Sequence, residues 1–375
     1  MTEVLEGASG AGGEKQPWLT LDSDDMLGAA AALPDHLEEA IATRPATAPL
    51  EGRVPFSSVV VAGMGGSGVA GRVLKALADR RSRVPVVLAG GYDLPNFVGQ
   101  GSLVIAVSFS GGTEETLSAA HQALDRGAGL LAVTTGGALG ELARRAASGG
   151  GGEGTAALEL LPDGIAWPRA GVGAMVARLL RAAEALGVLP AGSATDELVS
   201  SVAQLRRRLP ECQAGGGLAA EVAARIGRTF PLFHGAAGLG EVAARRWKTQ
   251  VNENAKAPAF SGEQPEVCHN ELCGFGQGGD VTRQLLTLVG LRLGTERRQV
   301  ARRFELFGEL AGEALAGVVD VVAAGEGELA RFFDLVMLGD FLSLHLAGRD
   351  GVDPGPVPIL GEIKARLAEG AEAGA

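Results

Sequence analysis

Twice within the first 120 residues, a short apolar run ends in a turn of glycines and small hydroxyls and then opens into a helical segment. Ser57–Ala62 leads into Gly63-Met64-Gly65-Gly66-Ser67-Gly68, and Leu103–Val107 leads into Ser108-Phe109-Ser110-Gly111-Gly112-Thr113. Runs this short and continuously apolar fit strands buried on both faces, which means a parallel sheet covered by helices. The glycine-rich turns then lie at the carboxyl edge of that sheet, where α/β folds place their ligands. The expected fold class is α/β.

The same alternation continues along the chain. Val84–Ala89, Leu130–Thr134 and Ala156–Leu161 read as further strands, and Val69–Ala78, Glu114–Leu124 and Arg169–Leu186 as helices. Upstream, Met26, Ala29, Leu33, Leu37 and Ile41 recur at helical spacing, predicting one or two short helices broken at Pro34. The stretch Leu186–Ser200 holds Gly187, Pro190 and Gly192 and reads as a linker. The pattern then restarts with a helix over Asp196–Leu209, a strand at Thr229–His234, a glycine turn from Gly235 to Gly240 and a helix through Val251. Strands at Leu285–Leu293 and Val318–Ala323 follow, with helices at Glu296–Ala311, Glu328–Ala347 and Leu360–Glu369. Two tandem α/β domains, residues 21–192 and 193–375, are the economical reading. Residues 1–20, rich in Gly, Glu and Ser, are expected to be disordered.

Charge and cysteine usage exclude several classes of function. With 33 basic and 44 acidic side chains in 375 residues the net charge is −11, so the chain has no electrostatic reason to coat nucleic acid or anionic lipid. Glycine and serine interrupt every uncharged stretch, and none reads as a membrane span. Three cysteines cannot build a disulfide framework and fit a reducing compartment, and the first twenty residues lack the apolar run of a signal peptide. A cytoplasmic location is expected.

The turns carry the first chemical signal. Gly63-x-Gly65-x-x-Gly68 has the spacing of a dinucleotide fingerprint, but the next strand ends Leu88-Ala89-Gly90-Gly91 without the acid that would hold a ribose. A simpler phosphate, or a tight turn with no ligand, remains open for this motif alone. Ser108, Ser110 and Thr113 offer three hydroxyls beside the free amides of a helix start, a donor set that suits a phosphate monoester without any cation. Hydroxyl residues also cap helices everywhere. Two such turns on neighbouring strands point to a phosphate site at the strand ends.

The second signal lies in the other half. Only 4 asparagines and 5 lysines occur in the chain, yet Asn252-Glu253-Asn254-Ala255-Lys256 and His269-Asn270-Glu271 hold three of those asparagines and one lysine. A carboxylate and a histidine are the minimum set for moving a proton between carbon and oxygen. The plain alternatives are a solvated helix end and a histidine bound to a backbone carbonyl. Cys268, His269 and Cys273 have no fourth ligand of suitable spacing, so no metal is expected. Lys364, in a terminal helical segment, reads locally as a surface residue.

Taken in order, GMGGSG (63–68), SFSGGTEET (108–116), TTGG (134–137), PRA (168–170), NENAK (252–256), HNE (269–271) and the closing VDPGPVPILGEIKARL resemble the bifunctional phosphoglucose/phosphomannose isomerase family, a two-domain member of the sugar isomerase (SIS) fold. The resemblance implies two tandem SIS domains, sugar 6-phosphate substrates and no cofactor. It implies that Gly65, Gly66, Ser67, Ser108, Ser110 and Thr113 hold the 6-phosphate. Glu253 would shuttle the proton between C1 and C2, Arg169 would face the enediolate, and Lys364 would assist ring opening. His269 would open the ring, reaching in from the partner subunit of a homodimer. The implied reaction interconverts glucose and fructose 6-phosphates, with mannose 6-phosphate as a further aldose; a non-catalytic sugar-phosphate regulator is the alternative. Three positions depart from the family pattern. Gly112 stands for an asparagine, Phe109 for a tyrosine, and Val357 for a threonine linked to accepting mannose. Valine keeps the size of threonine but not its hydroxyl.

Overall fold

The computed structural model describes residues 3–5, 18–150 and 155–373. Its first domain begins with helices α1 (Met26–Ala31) and α2 (Leu33–Ala42), the second opening with Pro34 in its first turn, where the missing N–H costs nothing. Five strands follow around their helices: β2 (Ser58–Ala62), α3 (Gly65–Arg81), β3 (Val86–Ala89), β4 (Ser102–Val107), α4 (Glu114–Asp125), β5 (Gly129–Thr134), α5 (Gly137–Arg145), β6 (Ala156–Leu160) and α6 (Val172–Ala185). All pair in parallel in the order β3-β2-β4-β5-β6. The residues of β2, β4 and β5 are buried throughout, as strands covered on both faces must be.

The second domain repeats the plan. It runs α7 (Thr195–Gln213), α8 (Leu218–Ile226), β7 (Phe230–Ala236), α9 (Leu239–Asn254), β8 (Phe260–Gln264), α10 (Gly279–Leu285), β9 (Leu286–Arg292), α11 (Arg298–Ala311), β10 (Gly317–Val322), α12 (Glu328–Asp350) and α13 (Pro358–Ala373). Its sheet is again all-parallel, in the order β8-β7-β9-β10-β1. The edge strand β1 is Glu3–Leu5, from the chain's own N-terminus, and Val4 pairs with Asp320.

The expectation of disorder over residues 1–20 is therefore corrected at Glu3–Leu5 and again at residues 18–20. Pairing with β10 satisfies the backbone of the first segment. In the second, the Trp18 ring stacks on His345 with centroids 3.7 Å apart. Residues 6–17 lie outside the described residues. Most elements match the sequence reading to within a few positions; α5, α8, α10 and β8 were not anticipated.

Both domains share one apolar core. A single cluster includes Leu37, Val61, Leu74 and Leu180 of the first domain with Phe233, Trp247, Phe333 and Phe341 of the second. Ion pairs reinforce the join, Arg81 of α3 meeting Glu197 of α7 at 2.6 Å and Glu328 of α12 at 2.8 Å. No helix among the described residues is long and apolar enough to cross a membrane.

Candidate active site

The two hydroxyl turns follow β2 and β4, neighbours in the first sheet, and so lie side by side at its carboxyl edge. Ser67 and Ser108 are buried. Ser67 Oγ accepts the Phe109 N–H at 3.1 Å, tying one turn to the other, and its own hydroxyl proton is left to donate. Ser108 Oγ and Thr113 Oγ1 are 2.9 Å apart, while Ser110 is exposed and accepts the Gly112 N–H at 3.3 Å. Gly111, at φ 68°, could not be replaced, because a Cβ there would lie 2.0 Å from the Gly136 carbonyl of the TTGG segment. Helices α3 and α4 both begin here without a side-chain cap, leaving their first N–H groups open.

Gly66 leads from this edge to the reacting groups. A Cβ on Gly66 would stand 3.7 Å from the Arg169 Cα, so the glycine turn is packed directly on the PRA segment. Arg169 is buried. Its Nε donates to Asn254 Oδ1 at 2.8 Å, and Nη2 donates to the carbonyls of Pro354 at 2.8 Å and Gly355 at 2.6 Å. Its remaining nitrogen, Nη1, stands 3.7 Å from Glu253 Oε2, and the guanidinium lies over the Trp167 ring. Burial lowers its pKa, opposed by the nearby Glu253 and Asp24, but an arginine keeps its charge regardless.

Glu253 occupies the last turn of α9, with 31% of its side chain exposed. The neighbouring Asn254 is buried and uses both ends of its amide, accepting from Arg169 and donating to Ser343 Oγ at 2.9 Å. Arg169 is thus held by the residue adjacent to Glu253. The arrangement is a part-exposed carboxylate beside a fixed cation, which packs against the glycine turn of the first sheet.

Several further residues contribute to this site without having been assigned a role from the sequence. Lys256, at φ 55°, donates to the Pro354 carbonyl at 3.1 Å, and its pKa is lowered by burial and then by Arg169. Asp353 accepts the N–H groups of Ser23 and Gly355, and Asp24 packs against Gly355. The run Asp22-Ser23-Asp24-Asp25 was the visible sign: Asp22 accepts the Met26 N–H at 2.6 Å and so fixes α1 beside Arg169.

Two predicted residues lie elsewhere. His269 is exposed in the loop after β8, with Nε2 3.3 Å from Arg303 Nη1 of α11. Lys364 is exposed on α13. Neither shares a hydrogen bond or ion pair with Arg169 or Glu253. Among the described residues no cluster of His, Cys, Asp or Glu is arranged to hold a metal.

Two parallel five-stranded sheets, the first ending in donor-rich turns, define a double SIS-domain protein. Residues 56–148 match the SIS domain, and residues 217–367 match the bacterial phospho-glucose isomerase C-terminal SIS domain. Bifunctional phosphoglucose/phosphomannose isomerases from Caldicellulosiruptor bescii and Aquifex aeolicus are 35% and 33% identical over 316 residues, covering 84% of this chain and 90% and 91% of theirs. The chain belongs to the bifunctional phosphoglucose/phosphomannose isomerase family. The fold is also that of the C-terminal domain of glucosamine-fructose-6-phosphate aminotransferase from Francisella tularensis. That match has a TM-score of 0.68 at 16% identity and covers 88% of this chain and 97% of that one.

Proposed function

We propose that the protein is an aldose–ketose isomerase that interconverts glucose 6-phosphate and fructose 6-phosphate, and mannose 6-phosphate by the same chemistry. The curated relatives are named as phosphoglucose/phosphomannose isomerases. The observation that carries the reading is Glu253 Oε2 standing 3.7 Å from the Arg169 guanidinium at the edge of the hydroxyl turns.

The 6-phosphate is held by the hydroxyls of Ser67, Ser108, Ser110 and Thr113 and by the amides around Gly65 and Gly66. With the phosphate fixed, C1 and C2 of the open-chain sugar reach Glu253. The carboxylate takes the proton alpha to the carbonyl, an enediolate forms, and the same carboxyl returns the proton to the neighbouring carbon. Arg169 faces the negative charge that develops on oxygen, a role for which its buried, triply anchored guanidinium is pre-oriented. Ring opening falls to His269 and Lys364. Both are exposed, and neither shares a hydrogen bond or ion pair with Glu253 or Arg169, which favours a homodimer in which His269 serves the partner's site.

A coupled assay with fructose 6-phosphate and, separately, mannose 6-phosphate tests this. Turnover should occur and fall at least ~100-fold in Glu253→Gln, the scale of a lost general base. Val357, half-buried two residues from the Gly355 carbonyl that holds Arg169, should lower the mannose rate relative to a Val357→Thr variant. Binding of fructose 6-phosphate without any turnover would favour the regulator reading instead.

A further inference from the structure

The two sheets have the same topology. Read from one edge, the first sheet is β3-β2-β4-β5-β6; read from the opposite edge in chain terms, the second is β8-β7-β9-β10-β1. In each, the chain steps from the first strand to one side and then crosses to the other. The strand order therefore reverses between β2 and β4 in the first sheet and between β7 and β9 in the second. Ligands of open α/β sheets bind at the carboxyl ends of the strands at such a reversal. The hydroxyl turns occupy that place in the first sheet. In the second it is occupied by Gly235–Gly240 and by the segment Leu293–Arg297.

A cleft of about 320 Å³ opens at that point, within the range of small-molecule sites. Its walls are Ala237, Gly238 and Leu239 after β7, Thr295 and Arg297 after β9, and Arg80 from α3 of the first domain. Helices α9 and α11, of 16 and 14 residues, both start at the cleft without a side-chain cap. Their first N–H groups are open donors with the positive end of the helix dipole behind them.

An independent observation points to a missing acceptor. Gln264, which also lines the cleft, is completely buried; its Oε1 accepts from Cys268 Sγ at 3.2 Å, but its Nε2 has no partner. An unpaired buried donor is costly, so a native group of this kind calls for an acceptor. The cleft's carboxylates are already engaged. Glu328 is paired with Arg80 and Arg81, and Glu296 accepts the Leu293 N–H. Arg297 is exposed, and its side chain has no hydrogen bond or ion pair among the described residues.

We propose that this switch-point cleft binds a small phosphorylated metabolite, at a site separate from the one at the first sheet. The amides at the starts of α9 and α11 cradle its phosphate, Arg297 supplies the charge, and Gln264 Nε2 gains its acceptor. Because Ala76, Leu77 and Arg80 come from the first domain, the bound molecule spans the two domains.

Equilibrium dialysis of the full chain against labelled inorganic phosphate tests this. Arg297→Glu and Thr295→Glu change exposed side chains only and place a negative charge at the cleft. Each should lose about one equivalent of bound phosphate relative to wild type, while a Ser108→Ala/Ser110→Ala protein keeps that equivalent. Equal binding by wild type and both glutamate variants overturns the proposal. Failure of the first-sheet site would show differently, as a serine variant that loses nothing.

Discussion

At the residue scale, the buried arginine of the site is held by partners distant in sequence. Arg169 draws on Asn254, Pro354 and Gly355, and two of those partners are backbone carbonyls that no residue type announces. That is why Arg169 and Glu253 were legible from their motifs while their supports were not. The surplus of asparagine in NENAK did hint that Asn254 has work to do.

His345 gives a pH signature at the same scale. Burial holds its pKa down to about 4, below the usual 6.5, against a hydrogen bond with the Cys212 backbone that would raise it. The unfolded chain therefore binds a proton that the folded chain refuses between those values. The contribution is fully present above pH 6.5 and is lost as pH falls toward 4, a loss of about 3 kcal/mol at ~1.4 kcal/mol per unit. His36, also lowered by burial, acts with the same sign. Thermal melts should show a midpoint that falls by several degrees from pH 7 to pH 4.5 and falls less in His345→Phe. Parallel profiles for the two proteins would refute the assignment.

At the element scale, the strands that were legible are those buried on both faces, such as Ser102–Val107. The edge strand Phe260–Gln264 was not, because Phe-Ser-Gly-Glu-Gln is half solvated and reads as a turn. The edge strand Glu3–Leu5 is too short, at three residues, for any period to show. Helix α13 is the unusual element. Ile359, Ile363 and Leu367, spaced at i, i+4 and i+8, are 64%, 52% and 60% exposed, together with Lys364. An apolar stripe of this kind needs a partner. In the proposed dimer that partner is the second subunit, and sedimentation velocity should find a dimer in wild type and a monomer in Ile359→Asp/Ile363→Asp. The variant's melting midpoint at low protein concentration should stay within a few degrees of wild type. A variant that remains dimeric would remove α13 from the interface.

At the scale of the whole molecule, the motifs point to a phosphate site in one domain and a base in the other but say nothing of the join between them. The join is made by buried charge as well as by the shared core. Arg246 of α9 meets Asp340 of α12 at 2.8 Å and donates to the Arg169 carbonyl at 2.9 Å, so the helix that carries NENAK is tied to the PRA segment of the first domain. Burial raises the Asp340 pKa and Arg246 opposes it. Arg246→Met leaves that carboxylate buried without its partner and should cost about 3–5 kcal/mol in urea unfolding. Wild type should unfold in one transition through the common core; two separated transitions would show that the domains fold independently.

The central claim is that Glu253 carries a proton between adjacent carbons of a sugar 6-phosphate. The most direct measurement is the exchange of the C2 hydrogen of glucose 6-phosphate with deuterated solvent, followed by NMR in wild type and Glu253→Gln. Exchange should accompany isomerisation in wild type and be lost in the variant, which still binds fructose 6-phosphate. Exchange at an undiminished rate in Glu253→Gln would contradict the claim.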